Sequence, residues 1–232
     1  PTTPSRERRE RILLHNIYGV DLDEQAVEVT RLNLVLRATH ESRKLPMLSH
    51  IQHGNSLVEA DEVAGARLGF SWEKGFPLVM ERGGFDVVVG NPPYVRQEYL
   101  SAQFKEYAQA HYTTANGTAD LYVYFVERGF SLLKEGGRLG YILPNKWLRA
   151  KYGQNLRGYL VDKVEQVIDF GDLPVFADAT TYPLILNLQR STAPLPSPTV
   201  THAESLPTHP TELLTHHLAP FHAVPRTRLT AK

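Results

Sequence analysis

Short apolar runs alternate with longer amphipathic stretches between residues 17 and 188, which is typical of an α/β domain. Runs that predict strands lie at 17–21, 50–53, 86–89, 138–143, 165–170 and 182–188. Apolar residues at helical spacing predict a helix after Asp23 and another from Asp120 to Leu133, which we expect Gly136 and Gly137 to end. Paired Glu and Arg side chains predict an exposed helix over residues 6–15.

The composition changes after Arg190. Proline is frequent from Ala193 to Pro198, and it recurs among Thr and His residues as far as Pro225. Proline-rich segments are usually extended and act as spacers. We therefore expect one folded domain in residues 1–190, and an extended, mostly unpacked linker or the start of a following domain in residues 191–232.

The 232 residues are 42% hydrophobic, which is enough to build the core of a sizeable domain. The absence of cysteine excludes disulfides and thiolate zinc sites, which suits a reducing cytoplasm. No apolar run is long enough to span a bilayer, and the first residues lack the apolar stretch of a signal peptide. We expect a soluble, cytoplasmic protein that does not bind membranes.

Positive charge is concentrated in one segment, although Lys+Arg and Asp+Glu both total 25 over the chain. Lys146, Arg149, Lys151 and Arg157 lie between residues 145 and 160 without an intervening acid. Such a cluster is either a solvated helix face or an edge that contacts nucleic-acid phosphates. Any DNA contact is expected to be local and to involve these side chains.

The most informative stretch is an apolar strand, Asp86 to Val89, which we expect to be buried and which leads into Gly90-Asn91-Pro92-Pro93-Tyr94. Each proline fixes φ and lacks an N–H, so the backbone carbonyls of this corner are held rigidly. If the Asn91 side-chain oxygen and the Pro92 carbonyl both accept from one exocyclic amino group, its lone pair leaves conjugation with the ring. The nitrogen then becomes a usable nucleophile. Tyr94 can stack on the same base.

An ordinary strand-to-loop turn is the alternative, because Asn-Pro and Pro-Pro commonly occur in turns. However, Asn91-Pro92-Pro93-Tyr94 resembles the catalytic motif of adenine-N6 and related amino methyltransferases that use S-adenosylmethionine. Further segments resemble the methylase part of type II restriction-modification enzymes, particularly the long type IIG kind: Phe70 to Glu73, Gly83 to Asp86, Asp120 to Tyr122, Lys134 to Gly137 and Tyr141 to Leu148. The resemblance covers roughly residues 17–188.

The resemblance implies a Rossmann-like methyltransferase domain with a doubly wound, mostly parallel sheet. It assigns catalysis to Asn91, Pro92, Pro93 and Tyr94, and it makes residues 1–190 the catalytic domain. The target adenine would be flipped out of double-stranded DNA and stacked on Tyr94, with Phe176 covering its second face. A core position that anchors its loop is the alternative for Phe176. No metal is needed for this reaction.

The same resemblance assigns cofactor binding to Asp21, Leu22, Asn55 and Ser56. An acid at the carboxyl end of a strand, here Asp21, lies where nucleotide ribose hydroxyls are usually held. Helix capping is the alternative for Asp21, although Asp23 is better placed for it. Family members often have an acid at the position of Asn55, which contacts the adenine amino group of the cofactor. In this chain the amide oxygen of Asn55 would be the acceptor instead. We expect His50 and His53 to be structural residues.

The family's first strand and glycine-rich loop have no counterpart before Ile17, where the sequence contains no glycine. The resemblance therefore implies an N-terminally incomplete methylase domain, with an upstream segment and a downstream target-recognition domain in the same polypeptide. Two other functions stay open: a methyltransferase for protein glutamine side chains, which uses the same four-residue motif, and an inactive remnant or subunit that contacts DNA.

Overall fold

A computed structural model of the chain describes residues 5–38, 47–60, 69–176, 181–203, 205–206 and 222–223. The chain divides into two compact units, Pro1–Glu81 and Arg82–Lys232. Over the described residues, every helix is too short or too polar to cross a membrane.

The first unit contains a parallel pair of strands joined by a helix. Its elements are α1 (Arg6–His15), β1 (Gly19–Asp21), α2 (Glu24–Ala38), β2 (Ile51–His53), α3 (Trp72–Gly75) and α4 (Pro77–Met80). Gly19 pairs with Ile51 and Asp21 with His53, so β1, α2 and β2 form a βαβ unit. The strands and helices predicted for this part of the sequence are therefore present.

A core cluster of the first unit consists of buried aliphatic side chains from α1, α2, β2 and the segment just before β2, namely Leu13, Val27, Val35, Leu48 and Ile51. Ser5 caps α1 by accepting the Arg8 N–H at 3.4 Å. Asp23 caps α2, because its Oδ1 accepts the Gln25 N–H at 2.9 Å. The prediction that Asp23 is the cap of this helix is confirmed.

Within the residues that the structure describes, the second unit is built on a six-stranded sheet. Its elements are β3 (Phe85–Gly90), α5 (Ala102–His111), α6 (Leu121–Ser131), β4 (Leu133–Pro144), α7 (Gln154–Leu160), β5 (Val164–Asp169), β6 (Pro183–Gln189), β7 (Thr199–His202) and β8 (His222–Ala223). The strand order is β3-β4-β6-β5-β7-β8. Short 3₁₀ helices lie at Gln97–Tyr99, Asn145–Leu148 and Lys151–Gly153.

Strands β3, β4, β5 and β7 run in one direction. β3 pairs with β4 and β5 with β7 in parallel, whereas β6 lies antiparallel between β4 and β5. The carboxyl ends of β3, β4 and β5 therefore meet at the same edge of the sheet, where ligands bind in open α/β sheets. The expected α/β fold is confirmed, with β6 as a reversed strand inside the sheet.

Helix α6 packs closely on β4. A Cβ at Gly129 would lie 2.5 Å from the Tyr141 hydroxyl oxygen, so only glycine permits this approach. The leucines of β4 and β6 are almost completely buried: Leu139, Leu143, Leu184, Leu186 and Leu188. This layer of helix on sheet forms the core of the second unit.

The predicted end of α6 is wrong. The helix ends at Ser131, and the glycines expected to terminate it lie inside β4. Gly136 has a φ of +78°, and its N–H donates to the Arg190 carbonyl at 2.9 Å. The pairing register with β3 also shifts here, so these glycines belong to an irregular stretch of strand.

The sheet continues beyond Arg190. Thr199–His202 forms β7 beside β5, and Thr201 is 1% exposed. The expectation of an unpacked tail is wrong for these residues, because the proline-rich stretch returns the chain to the sheet. Most of the remaining tail, including His209, His216 and His217, lies outside the described residues.

Candidate active site

The motif corner begins where β3 ends, at Gly90. Asn91 and Pro93 are exposed, Pro92 is buried and Tyr94 is half-buried. The strand before them was expected to be buried, which is wrong for Val87 and Val89, with exposed fractions of 59% and 76%. The reason is that β3 is an edge strand, which pairs only with β4 within the described part of the chain.

Tyr94 is anchored to the neighbouring strand. Its hydroxyl donates to the Ile142 carbonyl of β4 at 3.3 Å. Its ring lies edge-on to that of Tyr122, with centroids 6.4 Å apart. Burial raises the pKa of the Tyr94 hydroxyl above its ordinary value, so Tyr94 is a neutral donor at neutral pH.

Phe176 reaches Tyr94 from the loop that follows β5. The two ring centroids lie 6.5 Å apart, and Phe176 is half-buried. They meet because β3 and β5 run in the same direction, so the segments after both strands leave from one edge of the sheet. The two residues predicted to stack on a target base therefore lie side by side, whereas residues 177–180 of this loop lie outside the described residues.

In the first unit, Asp21 and Leu22 form an exposed turn at the carboxyl end of β1. The Asp21 Oδ1 accepts the Asp23 N–H at 2.8 Å, and Leu22 is 57% exposed. His53 supports this turn, since its Nε2 lies 3.0 Å from the Leu22 carbonyl oxygen. A carboxylate and an apolar side chain are thus both open to a ligand.

Asn55 and Ser56 follow β2 in the same unit. The Asn55 Oδ1 accepts the Leu57 N–H at 3.1 Å, which uses one of its two lone pairs. The Ser56 carbonyl accepts the Trp72 indole N–H at 3.2 Å. Over the described residues, the Asn55 Oδ1 therefore keeps one lone pair for a further donor.

His50 packs edge-on against Tyr18, with ring centroids 4.9 Å apart. This packing and the contact of His53 with Leu22 give both histidines structural surroundings. Among the described residues, no group of three or more His, Asp or Glu side chains is arranged to hold a metal.

The basic segment follows β4 as two 3₁₀ helices and α7. Lys146, Arg149 and Lys151 are exposed. Arg157 differs, because its guanidinium donates to the Trp147 carbonyl at 2.6 Å and to the Ala150 carbonyl at 3.0 Å. Arg157 thus holds the turn together, whereas the other three side chains are open to solvent.

Comparison with known proteins agrees with this geometry. The model of the Eco57I restriction-modification methylase family matches residues 15–176. The chain belongs to the Eco57I restriction-modification methylase family. The match includes the Asp21 turn, the Asn55 turn and the Asn91 to Tyr94 corner, and it ends at Phe176.

Two relatives of this chain are much longer than it is. It is 32% identical over 199 residues to the type II restriction enzyme and methyltransferase RM.Eco57I of Escherichia coli, which covers 79% of this chain and 20% of that protein. It is 29% identical over 198 residues to the adenine-specific methyltransferase PglX of Streptomyces coelicolor, covering 70% and 16%. The chain thus spans about a fifth of these relatives or less.

A solved structure, that of the DrdV–DNA complex, shares the fold with a TM-score of 0.64 at 14% identity. The alignment covers 98% of this chain and 24% of that one. At this identity the likeness supports the fold alone. It agrees with the α/β methylase fold that the topology of the Eco57I-family chain indicates.

Sequence analysis of the Eco57I-family chain missed one group beside the corner. Asp120 accepts the Gln97 N–H at 3.1 Å. Tyr122 packs against Tyr94, and its hydroxyl contacts that of Tyr152. Asp120 and Tyr122 were part of the family resemblance, but no role was predicted for them. The available signal was an acid that comes immediately before a strongly apolar helix.

Proposed function

We propose that the polypeptide containing this chain transfers a methyl group from S-adenosylmethionine to the N6 amino group of adenine in double-stranded DNA, as part of a restriction-modification enzyme. One observation carries the proposal: the Asn91 to Tyr94 corner is open at the carboxyl edge of the sheet, with Tyr94 anchored beside Phe176. The names of the relatives support adenine as the substrate and restriction-modification as the context.

The Asn91 side-chain oxygen and the Pro92 carbonyl accept the two hydrogens of the adenine amino group. Two acceptors at fixed positions draw the nitrogen toward a tetrahedral shape, so its lone pair is no longer shared with the ring. Tyr94 holds the base by stacking, and the hydrogen bond from its hydroxyl to the Ile142 carbonyl fixes the position of its ring relative to β4. The proton that the amino group releases after transfer passes to solvent, since Asn91 is exposed.

Asp21, Leu22, Asn55 and Ser56 fit the nucleoside part of S-adenosylmethionine. The exposed Asp21 carboxylate accepts hydrogen bonds from the ribose hydroxyls of the cofactor, and the exposed Leu22 side chain packs against the adenine of the cofactor. The remaining lone pair of the Asn55 Oδ1 accepts a hydrogen bond from the amino group of the same cofactor adenine. Ser56 belongs to the same turn as Asn55. When bound, the cofactor supplies an electrophilic methyl group on a sulfonium.

Segments of the same polypeptide outside this chain complete the cofactor site and recognise the DNA sequence. Exposed aliphatic side chains support this part of the proposal: Val87 and Val89 on β3, and Val29, Leu32 and Leu36 on α2. Apolar patches of this kind usually contact another segment or partner. An upstream segment supplies the glycine-rich loop, a downstream domain recognises the target, and the enzyme acts in the cytoplasm.

The decisive experiment offers radiolabelled S-adenosylmethionine to the full-length polypeptide that contains this chain, with DNA and with protein substrates. We expect label in DNA, and N6-methyladenine in its nucleoside digest. Label in the glutamine side chains of a protein would support the alternative methyltransferase. The absence of label in either would support an inactive DNA-contacting subunit. Either result would overturn the proposed function.

A further inference from the structure

Tyr122, the second residue of α6, lies directly behind Tyr94. The planes of the two rings meet at 79°, so the edge of one ring abuts the face of the other. Tyr122 is 1% exposed, and it therefore has little freedom to move. This contact fixes one side of the Tyr94 ring.

A chain of buried hydroxyl groups in turn fixes Tyr122. Its hydroxyl oxygen lies 2.6 Å from that of Tyr152, and the Tyr152 hydroxyl donates to the Asp120 Oδ2 at 3.4 Å. Each hydroxyl has one hydrogen, so Tyr122 donates to Tyr152 and Tyr152 donates to Asp120. Burial raises the pKa of Tyr152 to about 12, and it also raises that of Tyr122, so both groups are neutral in ordinary buffers.

Asp120 also holds the backbone that follows Tyr94. Its Oδ1 accepts the Gln97 N–H at 3.1 Å, while the Leu121 N–H donates to the Val95 carbonyl at 2.9 Å. The start of α6 is thus bonded to the backbone within three residues of Tyr94. One carboxylate joins this backbone to the hydroxyl chain behind the Tyr94 ring.

Stacking on an extruded base needs the Tyr94 ring in one orientation before the base arrives. A ring that is free to turn loses that freedom on binding, which weakens capture of the base, and a misplaced ring slows transfer. We propose that Asp120, Tyr122 and Tyr152 are positioning residues that hold the Tyr94 ring in the orientation in which it stacks on the target base. This inference rests on the proposed function.

The test compares Tyr122→Leu, Tyr122→Phe and Tyr152→Phe in the active polypeptide. Tyr122→Leu removes the ring behind Tyr94, whereas the two Phe variants remove only hydroxyl groups. Tyr124→Phe is the matched control: it removes another buried hydroxyl of α6, which donates to the Asn116 carbonyl, and its ring packs on Phe104 and Tyr112.

We expect Tyr122→Leu to lower kcat/KM for DNA by about 100-fold, the scale of a misplaced contact, with the KM for S-adenosylmethionine unchanged. Both Phe variants should show smaller losses of the same kind, and Tyr124→Phe should match the wild type. The fluorescence change of 2-aminopurine at the target position should weaken in the same order. Equal effects in Tyr124→Phe, or losses that follow only the melting temperature, would overturn the inference.

A readout independent of activity reports on the ring itself. With 3-fluorotyrosine at position 94 of this chain, the ¹⁹F signal should move and sharpen toward that of an exposed tyrosine in Tyr122→Leu but not in Tyr124→Phe. An unchanged signal in Tyr122→Leu would overturn the positioning role even if the polypeptide methylates DNA. Conversely, a wild type that methylates no DNA refutes the proposed function, while the signal still decides whether Tyr122 orients Tyr94.

Discussion

The rings of Tyr94 and Phe176 lie 6.5 Å apart and are inclined by 73° to each other. Two rings that stack on both faces of a flat base must instead be nearly parallel. One of them therefore has to turn when a base enters. Tyr94 is held by its hydroxyl bond to Ile142, whereas the apolar ring of Phe176 has no group that could form such a bond, so we expect Phe176 to turn.

Phe176→Ala should weaken capture of the flipped base more than binding of the cofactor. It removes one stacking surface, which is worth about 1–3 kcal/mol per base. The fluorescence change of a duplex with 2-aminopurine at the target position measures this loss. Tyr99→Ala, at a ring that is 80% exposed, is the control. A fluorescence change that Phe176→Ala leaves intact would count against base stacking by this residue.

Asn91→Ala should abolish methyl transfer without changing the fold. Asn91 is exposed, so the substitution removes an acceptor for the target amino group and little core volume. Methyl transfer by the active polypeptide and its urea unfolding curve measure the two effects, with the exposed Gln154→Ala as a control. Wild-type activity in a folded Asn91→Ala protein would refute the motif assignment.

This chain alone should bind DNA weakly and without sequence specificity. Exposed Lys146, Arg149 and Lys151 are expected to contact phosphates, so each Ala variant should reduce the salt dependence of binding. Arg157→Ala should instead lower the free energy of unfolding, by about 1.5–3 kcal/mol, because it leaves two carbonyls without their charged donor. DNA titrations at several salt concentrations measure the first effect, and urea unfolding of Arg157→Ala measures the second. Tight, sequence-specific binding by the chain would contradict the expectation.

The chain alone should show negligible affinity for S-adenosylmethionine. Asp21, Leu22 and Asn55 serve the ribose and adenine, whereas the resemblance places the methionine end in a glycine-rich loop that has no counterpart before Ile17. Isothermal titration calorimetry measures the affinity directly. Clear micromolar binding would mean that other residues replace the loop.

The free energy of unfolding should fall as the pH rises above 10. Burial raises the pKa of Tyr112 to about 12, so between pH 10 and 12 the unfolded chain loses this proton while the folded chain keeps it. Unfolding is then favoured by up to about 1.4 kcal/mol per pH unit for this group. Urea unfolding at pH 8 and pH 11 measures the decrease. Tyr112→Phe should reduce it, and an undiminished decrease in this variant would contradict the prediction.

The sequence predicted most strands correctly, because short β-branched and aliphatic runs are a local signal. It failed where the outcome depends on distant partners. Whether the valines of β3 are covered depends on neighbouring strands, and the glycines after α6 are placed by their bonds to Arg190. β7 was missed because β6 and the proline-rich segment separate it in the sequence from its partner, β5.

The position of the motif corner at the end of β3 was predictable because its residues are contiguous in the sequence. The meeting of Tyr94 with Phe176 followed from the family resemblance, not from periodicity. The support behind Tyr94 was missed because it joins Asp120 and Tyr122 to Tyr152, a residue that α6 and β4 separate from them. Only the folded sheet brings these side chains together.

The parallel pairing of β7 with β5 also decides where the chain can be shortened. A cut at Arg190, where the change in composition suggests a boundary, removes Thr199–His202 and bares the N–H and C=O groups of β5 along one side. Such an edge is a template for pairing with other molecules. Fragments of this methylase domain that end before His202 are therefore the ones to avoid when soluble protein is wanted.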